Sequence, residues 1–244
     1  KEQGFITMAT SPDFGPYEFM DLNKEGQEAI VGAEIELGKY IADYLGVDLK
    51  IESMDFDTCQ ASVSVGKVDM SLSGYAKTDE RAENMNCSDF YYWKKGEIDT
   101  QGVMILKENE DKLNTKEAFK GKTLAAQNGS LQLNLVTKQL PDSKLETISS
   151  INDGVMLLLS NKVDGLASSG DTGLQFCKNY PELAMSKFCF DYNEDGNILL
   201  VPKGEDALMA EINKAIKKAA DEGMYEKWLQ EATALCDTLG IKVN

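Results

Sequence analysis

Hydrophobic and polar residues follow one another along the first half of the chain in patterns that predict strands and helices in succession. Apolar residues recur at helical spacing over residues 33–45 and stop at Gly46, as expected of a helix that ends at a glycine. The other predicted elements of this half are strands over residues 5–9, 47–51 and 68–72 and a short helix over residues 57–65. This succession predicts an α/β fold.

The second half of the chain repeats the same succession of elements. Its predicted strands cover residues 122–126, 145–148 and 163–167, and its predicted helices cover residues 131–140, 152–159, 172–179, 206–220 and 224–235. The stretch 107–122 between the two halves is polar and charged, which indicates a surface loop near a domain boundary.

A six-residue echo connects the two halves. Residues 64–69 (SVGKVD) recur as residues 159–164 (LSNKVD). Each copy follows a short amphipathic helix, opens a strand and leads into a loop rich in serine and glycine. The matching position predicts two similar lobes that face each other, and a cleft between lobes is a favoured place for a ligand.

Composition describes a globular protein and excludes some classes of partner. The chain of 244 residues is 42% hydrophobic and 27% charged, with a formal net charge of −16. Nucleic acids and anionic membrane surfaces attract basic patches, so neither is expected as a partner. No run reaches the roughly 18 apolar residues of a membrane span. Because the first residue is Lys1 and a strand follows almost at once, we expect a mature or trimmed chain whose signal peptide has been removed.

The chain has no histidine and five scattered cysteines. This excludes the catalytic arrangements that depend on histidine and nearly excludes the common zinc sites, so no metal and no cofactor are expected. Cys59 and Cys87 occupy apolar positions and are predicted to lie in the core. A Cys177–Cys189 bridge is conceivable, although the odd number of cysteines argues against a full disulfide framework.

Arg81 is the one arginine of the chain, beside 24 lysines. Lysine can supply general surface charge, whereas a guanidinium can grip a carboxylate with two parallel hydrogen bonds. Arg81 follows the predicted strand 68–72, at the end of a strand where open α/β sheets bind ligands. The alternative is a surface arginine paired with a nearby acid such as Asp79 or Glu83.

Three further segments carry candidate ligand contacts. The loop around Asp13 and Phe14 follows the first strand, Phe56 stands at a strand-to-helix turn with Asp57 as a candidate N-cap, and Ser130 precedes the helix 131–140. Free N–H groups at a helix start can hold an anion. The alternatives are core packing for the two phenylalanines and a simple N-cap for Ser130.

The order of these motifs resembles the amino-acid-binding (family 3) extracellular solute-binding proteins of ABC importers, over nearly the whole chain. The matching segments are the proline-aromatic loop 12–18, the helix 31–46, the signature residues Ser73, Gly74, Thr78, Glu80 and Arg81, the run 87–92, the segment 121–130 and the closing region 212–228.

The resemblance implies a two-lobed clamshell of the type II periplasmic-binding-protein kind, with a central cleft and two crossover strands. Lobe 1 would take residues 1–100 and 198–244, and lobe 2 would be inserted as residues 101–197. The crossover strands are expected near residues 101–107 and 197–202.

The resemblance also implies how a free amino acid is held by its carboxylate. Arg81 would clamp it, and the backbone N–H groups of Ala76 and of Ser130 and Leu131 would add to the grip. The family often has a hydroxyl residue where this chain has Ala76 and Leu131, so two hydroxyl donors are missing here while the backbone donors remain.

By the same resemblance, the carbonyl of Gly74 and an acid from lobe 2 would hold the ligand ammonium, and Phe14 and Phe56 would enclose its side chain. The usual position of that acid is Ser169 in this chain, so we favour Asp171, two residues later, over a different mode of ammonium binding.

The identity of the ligand is only partly indicated by the sequence. Phe14, Phe56 and Tyr75 suit an apolar, aromatic or amphipathic side chain, whereas Asp13 favours a basic or hydroxylated one. Because no second arginine is available, glutamate and aspartate are less expected.

We therefore expect an extracytoplasmic binding protein, not an enzyme, that delivers an amino acid to ABC permease subunits. It would be a monomer, either free in the periplasm or a lipoprotein that contacts the membrane only through its lipid anchor. The alternatives are an exported dehydratase or lyase of small carboxylates, with Asp13, Glu18 or Asp171 as the acid, and a sensory ligand-binding domain.

Overall fold

The computed structural model describes residues 4–92, 100–192 and 196–240. Its strands are β1 (Phe5–Thr10), β2 (Asp13–Phe14), β3 (Glu18–Met20), β4 (Ile30–Val31), β5 (Asp48–Ser53), β6 (Met70–Ala76), β7 (Met85–Cys87), β8 (Gln101–Leu106), β9 (Thr123–Gln127), β10 (Lys144–Ile148), β11 (Gly165–Ser169), β12 (Leu183–Cys189) and β13 (Asn197–Pro202). Its α-helices are α1 (Ala33–Leu45), α2 (Phe56–Ser64), α3 (Asp79–Asn84), α4 (Leu131–Gln139), α5 (Ile151–Leu159), α6 (Gly170–Asn179), α7 (Asp206–Asp221) and α8 (Met224–Leu239).

These elements form two compact units. Of the described residues, 4–92 and 196–239 belong to the first unit, and 100–192 with residue 240 belong to the second. The predicted crossover strands are both strands: β8 belongs to the sheet of the second unit and β13 to the sheet of the first. Residues 93–99 and 193–195 lie outside the described residues.

The first unit is built on a five-stranded sheet in the order β5-β1-β6-β13-β7. The β1 strand pairs in parallel with β5 and β6, while β13 runs antiparallel to β6 and β7. The strands β2, β3 and β4 form a separate small antiparallel sheet. Part of the core lies between α2 and the sheet, where Ala9, Cys59, Val63, Ile198 and Leu200 pack together.

The second unit repeats this design with a sheet in the order β10-β9-β11-β8-β12. Its β9 strand pairs in parallel with β10 and β11, and β8 runs antiparallel to β11 and β12. Val103, Phe119, Leu124, Val136 and Ala167 belong to its buried core. The predicted surface loop 107–122 forms 3-10 turns at Lys107–Asn109 and Glu117–Phe119, and Phe119 anchors the second of them in this core.

The sequence echo has a structural counterpart in the two units. Asp69 precedes β6 and accepts hydrogen bonds at 2.7 Å from the backbone N–H and the hydroxyl of Thr7 on β1. Asp164 precedes β11 and accepts a hydrogen bond at 2.8 Å from the backbone N–H of Thr123 on β9. Each aspartate thus ties the third strand of its sheet to the neighbouring parallel strand.

The bridge that the sequence left open is absent, and the core position predicted for Cys87 is confirmed only in part. All five are free thiols, and Cys177 on α6 is half-buried while Cys189 at the end of β12 is exposed, so no Cys177–Cys189 bridge forms. Cys59 lies in the core as predicted, but Cys87 is only half-buried because β7 pairs with a single neighbouring strand. Within the described ranges, no helix is both long enough and apolar enough to cross a membrane.

Candidate functional site

Arg81 is the third residue of α3, a short helix that begins just beyond β6. The N-cap residue Thr78 fixes the start of this helix, because its hydroxyl accepts a hydrogen bond of 3.2 Å from the Arg81 backbone N–H. The Arg81 side chain is almost wholly buried, with 4% of the residue exposed. Since arginine is seldom buried without partners, its surroundings decide what this side chain can do.

Two hydrogen bonds within the first unit orient the guanidinium. The Nε–H of Arg81 donates to Oε1 of Gln60 on α2 at 2.9 Å, and Nη1 donates to the carbonyl oxygen of Ala76 at 2.6 Å. The plane of the guanidinium is therefore set by two acceptors on separate elements. A fork fixed in this way can meet a carboxylate with little loss of side-chain entropy.

Two aromatic rings adjoin the same guanidinium. Its central carbon lies 5.0 Å from the ring centre of Tyr75 and 5.6 Å from that of Phe56, within the range of cation–π attraction. These two rings also contact each other, with centres 5.1 Å apart.

Burial in the core changes the role predicted for Tyr75. The residue is fully buried, and its hydroxyl forms a hydrogen bond of 2.9 Å with the Ser71 hydroxyl. The ring therefore supports Arg81 from within the unit, and the predicted direct contact with the ligand is corrected to this supporting role. Phe56 is 9% exposed and also belongs to the core, which bears out the packing alternative without excluding a ligand contact at its exposed edge.

Gly74 and Phe14 are close neighbours in the first unit. Gly74 lies within β6 and has a φ of +60°, in the left-handed region that favours glycine. A Cβ atom added at Gly74 would stand 3.1 Å from Cδ1 and Cε1 of Phe14, so the ring lies directly over this backbone. The Phe14 ring is stacked on Tyr17 with centres 5.4 Å apart and is partly exposed. The predicted ammonium acceptor and one predicted aromatic contact are thus side by side.

Acidic side chains lie buried beside this pair. Asp13 is 8% exposed, and one of its carboxylate oxygens accepts a hydrogen bond of 3.1 Å from the Ser11 hydroxyl. Glu18 is fully buried, and its Oε1 accepts a hydrogen bond of 2.9 Å from the Ser73 hydroxyl. In the part of the chain that the structure describes, Oε2 of Glu18 has no hydrogen-bond partner.

Glu34, in the first turn of α1, is a second fully buried acid at the same segment. Its carboxylate accepts hydrogen bonds from the hydroxyls of Tyr91, at 2.6 and 2.8 Å, and of Tyr225, at 2.5 Å. A longer bond of 3.4 Å comes from the backbone N–H of Gly74. The Gly74 backbone N–H therefore donates to one buried acid, Glu34, and the hydroxyl of the neighbouring Ser73 donates to another, Glu18.

Burial raises the pKa of both acids. The pKa of Glu34 rises from 4.5 to about 7 because the carboxylate is removed from water, although the hydrogen bonds from Tyr225, Tyr91 and Gly74 oppose the change. The pKa of Glu18 is raised well above its ordinary value, first by burial and then by the negative charge of Glu34. Burial therefore favours the protonated form of both carboxyl groups, and the charge of Glu34 adds to this effect at Glu18.

In the second unit, Ser130 and Leu131 stand at the start of α4. Ser130 is the N-cap and its hydroxyl accepts a hydrogen bond of 3.0 Å from the Leu133 backbone N–H, as in the capping alternative. Leu131 is the first helical residue and packs with its side chain against the core of this unit. Only the backbone of Leu131 is therefore suited to bind a ligand.

The start of α6 carries Ser169, which stands where the family usually has the lobe-2 acid, and Asp171, the acid that we favour over a different mode of ammonium binding. Ser169 is the N-cap, with its hydroxyl accepting a hydrogen bond of 3.3 Å from the Thr172 backbone N–H. Asp171 lies in the first turn and is partly exposed. Because Ser169 is 4% exposed and occupied as a cap, Asp171 remains the acid that we propose for the ammonium.

The predicted N-cap of α2 is shifted by two residues. Asp55 occupies the N-cap position and makes no side-chain capping bond, whereas Asp57 lies in the first turn and accepts a bond from the Thr58 backbone N–H. The described residues contain no group of three or more cysteine or acidic side chains able to hold a metal ion.

The sequence predicts no role in ligand binding for two buried acids beside Gly74. It offers Glu18 as a candidate catalytic acid and Glu34 as one residue of the helix 31–46. The signal for Glu34 was its spacing, since it shares the buried face of α1 with Leu37, Gly38 and Ile41, three to seven residues further along. An acidic residue on the apolar face of a helix is buried when the helix packs, and this indicates a specific role for its carboxyl group.

Comparisons with known proteins give one consistent result. The family model described as "Bacterial extracellular solute-binding proteins, family 3" matches residues 6–233. The "Arginine-binding extracellular protein ArtP" of Bacillus subtilis is 28% identical over 224 residues, covering 91% of this chain and 83% of the relative. The "Probable histidine-binding protein" of Campylobacter jejuni is 25% identical over 236 residues, covering 93% and 84% respectively.

A solved structure agrees with these relatives. The amino acid ABC transporter substrate-binding protein AbpA from Streptococcus pneumoniae, bound to L-arginine, superposes with a TM-score of 0.88 at 29% identity. The match covers 99% of this chain and 98% of AbpA. With a matching family model along nearly its entire length, this chain belongs to the bacterial extracellular solute-binding proteins, family 3.

Proposed function

We propose that this solute-binding protein captures a free L-amino acid with a cationic side chain, L-arginine in the first instance, outside the cytoplasm and delivers it to the permease of an ABC importer. The observation that carries the proposal is the buried guanidinium of Arg81, held by Gln60 and Ala76 and backed by two aromatic rings. Such a group is preorganised for the carboxylate that all free amino acids share.

The proposal assigns the remaining contacts as follows. Gly74 offers its carbonyl oxygen to the ligand ammonium, and Asp171 of the second unit supplies the opposing negative charge. The backbone N–H groups of Ala76 and Leu131 add to the carboxylate grip, whereas the Ser130 N–H already donates to the carbonyl oxygen of Gln127 at 3.2 Å. Phe14 and Phe56 flank the ligand side chain.

The cationic side chain is supported by charge and by the relatives. Asp13 places a buried acidic side chain directly before Phe14, where it accepts a hydrogen bond from the Ser11 hydroxyl. Lysine and arginine side chains have an aliphatic stem that suits aromatic rings and a charged end that suits an acid. The names of ArtP and of the Campylobacter jejuni protein refer to arginine and histidine, and AbpA holds L-arginine.

We further propose that the protein binds its ligand without altering it and acts as a monomer. The relatives are named as binding proteins, which supports a role in capture. If the chain carries a lipid anchor, that anchor is its contact with the membrane. Recovery of L-arginine unchanged after long incubation with the protein would support binding without chemistry.

Exchange of Arg81 for lysine tests the proposal. Lysine keeps the positive charge but cannot give two parallel hydrogen bonds, so we expect Arg81→Lys to weaken L-arginine binding by about 100-fold, a loss of about 2–3 kcal/mol. Isothermal titration calorimetry measures the affinity, and circular dichroism checks that the variant is folded.

The matched control is Lys39→Arg, the reverse exchange at an exposed ion pair with Glu36 on α1. This variant should bind like the parent. Before titration, a thermal-shift screen of the twenty amino acids identifies the ligand, because binding to the folded state raises the melting temperature. Equal affinity of Arg81→Lys and the parent would refute the assignment of Arg81.

A further inference from the structure

The segment Ser73–Gly74 needs support from outside itself. Gly74 has no side chain to brace it, and its φ of +60° is one of several conformations that glycine adopts with ease. A binding group on such backbone would lose conformational entropy each time a ligand ordered it. If the Gly74 carbonyl binds the ligand ammonium, something must hold this segment in position beforehand.

Buried hydrogen bonds hold the segment at two successive residues. The Ser73 hydroxyl donates to Glu18 at 2.9 Å and accepts at 3.1 Å from the backbone N–H of Ser11. The Gly74 backbone N–H donates to Glu34 at 3.4 Å. Glu18 and Glu34 are both fully buried, so these bonds form away from water, where they are hard to replace.

Glu34 also joins this segment to distant parts of the first unit. Its two tyrosine donors come from α8 and from the residues that follow β7, and their rings contact each other with centres 5.1 Å apart. Glu34 itself is the second residue of α1. The position of Gly74 is therefore tied to three elements that do not themselves include a proposed ligand contact.

We propose that Glu18 and Glu34 are positioning residues for ligand binding, which hold the Ser73–Gly74 backbone so that the Gly74 carbonyl is aimed at the α-ammonium group of the amino acid. This inference rests on the proposed function, because it takes an amino acid as the ligand. Neither acid contacts the ligand, since both are wholly enclosed in the first unit. Their effect on affinity passes through Gly74.

A pair of ligands isolates this effect. L-Arginine and 5-guanidinopentanoate differ by the α-ammonium group alone. The dissociation constant of 5-guanidinopentanoate divided by that of L-arginine, here called the ratio, therefore reports what the ammonium contacts contribute. A general loss of structure weakens both ligands, whereas a displaced Gly74 carbonyl weakens L-arginine more. The ratio is therefore a readout that a purely structural role would not change.

Two variants each remove one of the hydrogen bonds that hold the segment Ser73–Gly74. Ser73→Ala removes the bond to Glu18 with little change in volume, and Glu34→Leu removes the acceptor of the Gly74 N–H. We expect each variant to reduce the ratio by about tenfold, as for the loss of a buried hydrogen bond. Glu34→Gln keeps an acceptor oxygen and should restore a ratio near that of the parent.

Matched controls lie on the same elements. Ser71→Ala removes a buried hydroxyl from β6 that bonds to Ala9 and Tyr75 and not to either acid. Glu36→Gln changes an exposed acid of α1, two residues from Glu34. Both controls should keep the ratio of the parent. If Glu34→Leu fails to fold, Ser73→Ala still decides the question.

The outcomes separate this inference from the function on which it rests. If the parent prefers L-arginine and the variants keep its ratio, or lose affinity for both ligands equally, the positioning role is refuted and the proposed function stands. If the parent binds both ligands equally, the ammonium assignment at Gly74 fails, and the positioning inference fails with it.

Discussion

At the scale of single residues, the proposed site depends on backbone conformation as much as on side-chain chemistry. Gly74 combines a left-handed backbone with the close approach of the Phe14 ring. Either property alone would tolerate some change, but a side chain at this position would disturb both. The position therefore offers a direct test of whether Phe14 and Gly74 act together.

We predict that Gly74→Ala lowers the affinity for L-arginine by about tenfold and the free energy of unfolding by about 1–2 kcal/mol. The left-handed backbone strains an alanine, and the new Cβ would stand 3.1 Å from two atoms of the Phe14 ring, which must then move. Calorimetric titration and urea denaturation measure the two effects.

Gly66→Ala is the matched control for this substitution. Gly66 has a similar φ of +69°, but a Cβ at this position would meet nothing within 4 Å. The control should therefore lose stability from backbone strain and keep its affinity. If Gly66→Ala lost as much affinity as Gly74→Ala, contact with Phe14 could not explain the effect.

Sequence spacing revealed some residues of the site and concealed others. Arg81 stood out because it is the one arginine in a chain rich in lysine. Glu34 did not, because an acid near the start of a helix usually faces water and stabilises the helix end. Its burial depends on Tyr91 and Tyr225, which are 57 and 191 residues away along the chain. The position of Glu34 on the apolar face of α1 is a local signal, but its two tyrosine partners, at that separation, leave no local pattern.

At the scale of elements, the two aspartates of the sequence echo serve the same purpose in the two sheets. Asp69 and Asp164 each precede the third strand and bond to a threonine of the adjacent parallel strand. Parallel strands that are distant in sequence need such contacts to fix their register. The echo is therefore explained by strand pairing and not by ligand binding.

We predict that Asp69→Ala lowers the free energy of unfolding by about 1–3 kcal/mol, because the part-buried N–H and hydroxyl of Thr7 lose their acceptor. Affinity for the ligand should change little among the molecules that remain folded. Chemical denaturation measures the loss, and hydrogen exchange of β1 locates it.

Asp55→Ala provides the comparison for Asp69→Ala. Asp55 is an exposed aspartate that makes no capping bond with its side chain, so its removal should cost less than about 0.5 kcal/mol. Equal losses in the two variants would show that the bonds to Thr7 do not carry the effect.

Most of the longer elements were predicted and the shortest were not, but the seven-residue strand β12 was also missed. Helix α1 has the predicted bounds, since its apolar spacing and the left-handed Gly46 fix both ends. The strands β2, β3, β4 and β7 are two or three residues long, too short to show any periodicity. Their existence depends on partner strands, as β7 depends on β13.

At the scale of the whole molecule, buried acids connect the site to overall stability. The chain has a net charge of −16 and no histidine. Between about pH 5 and pH 8, ordinary carboxylates are already ionised and tyrosines, cysteines and lysines are still protonated. Glu34, whose pKa burial raises to about 7, is therefore expected to titrate in this range, and burial raises the pKa of Glu18 in the same direction.

The direction of the effect follows from the raised pKa values. Glu34 has a pKa of about 7 in the folded protein against an ordinary value of 4.5, and the pKa of Glu18 is raised as well. Between pH 4.5 and about pH 7, the folded state keeps a proton on Glu34 that the unfolded state has released. Stability must then fall as the pH rises through this interval.

We predict that the free energy of unfolding is lower at pH 8 than at pH 5.5, and that Glu34→Gln reduces this difference because glutamine does not titrate. The neighbouring variant Glu36→Gln should keep the full difference, since Glu36 is exposed and paired with Lys39. Urea denaturation of the three proteins at both pH values makes the comparison, with the ligand absent. A parent equally stable at both values, or an unchanged difference in Glu34→Gln, would show that the buried pair does not hold a proton.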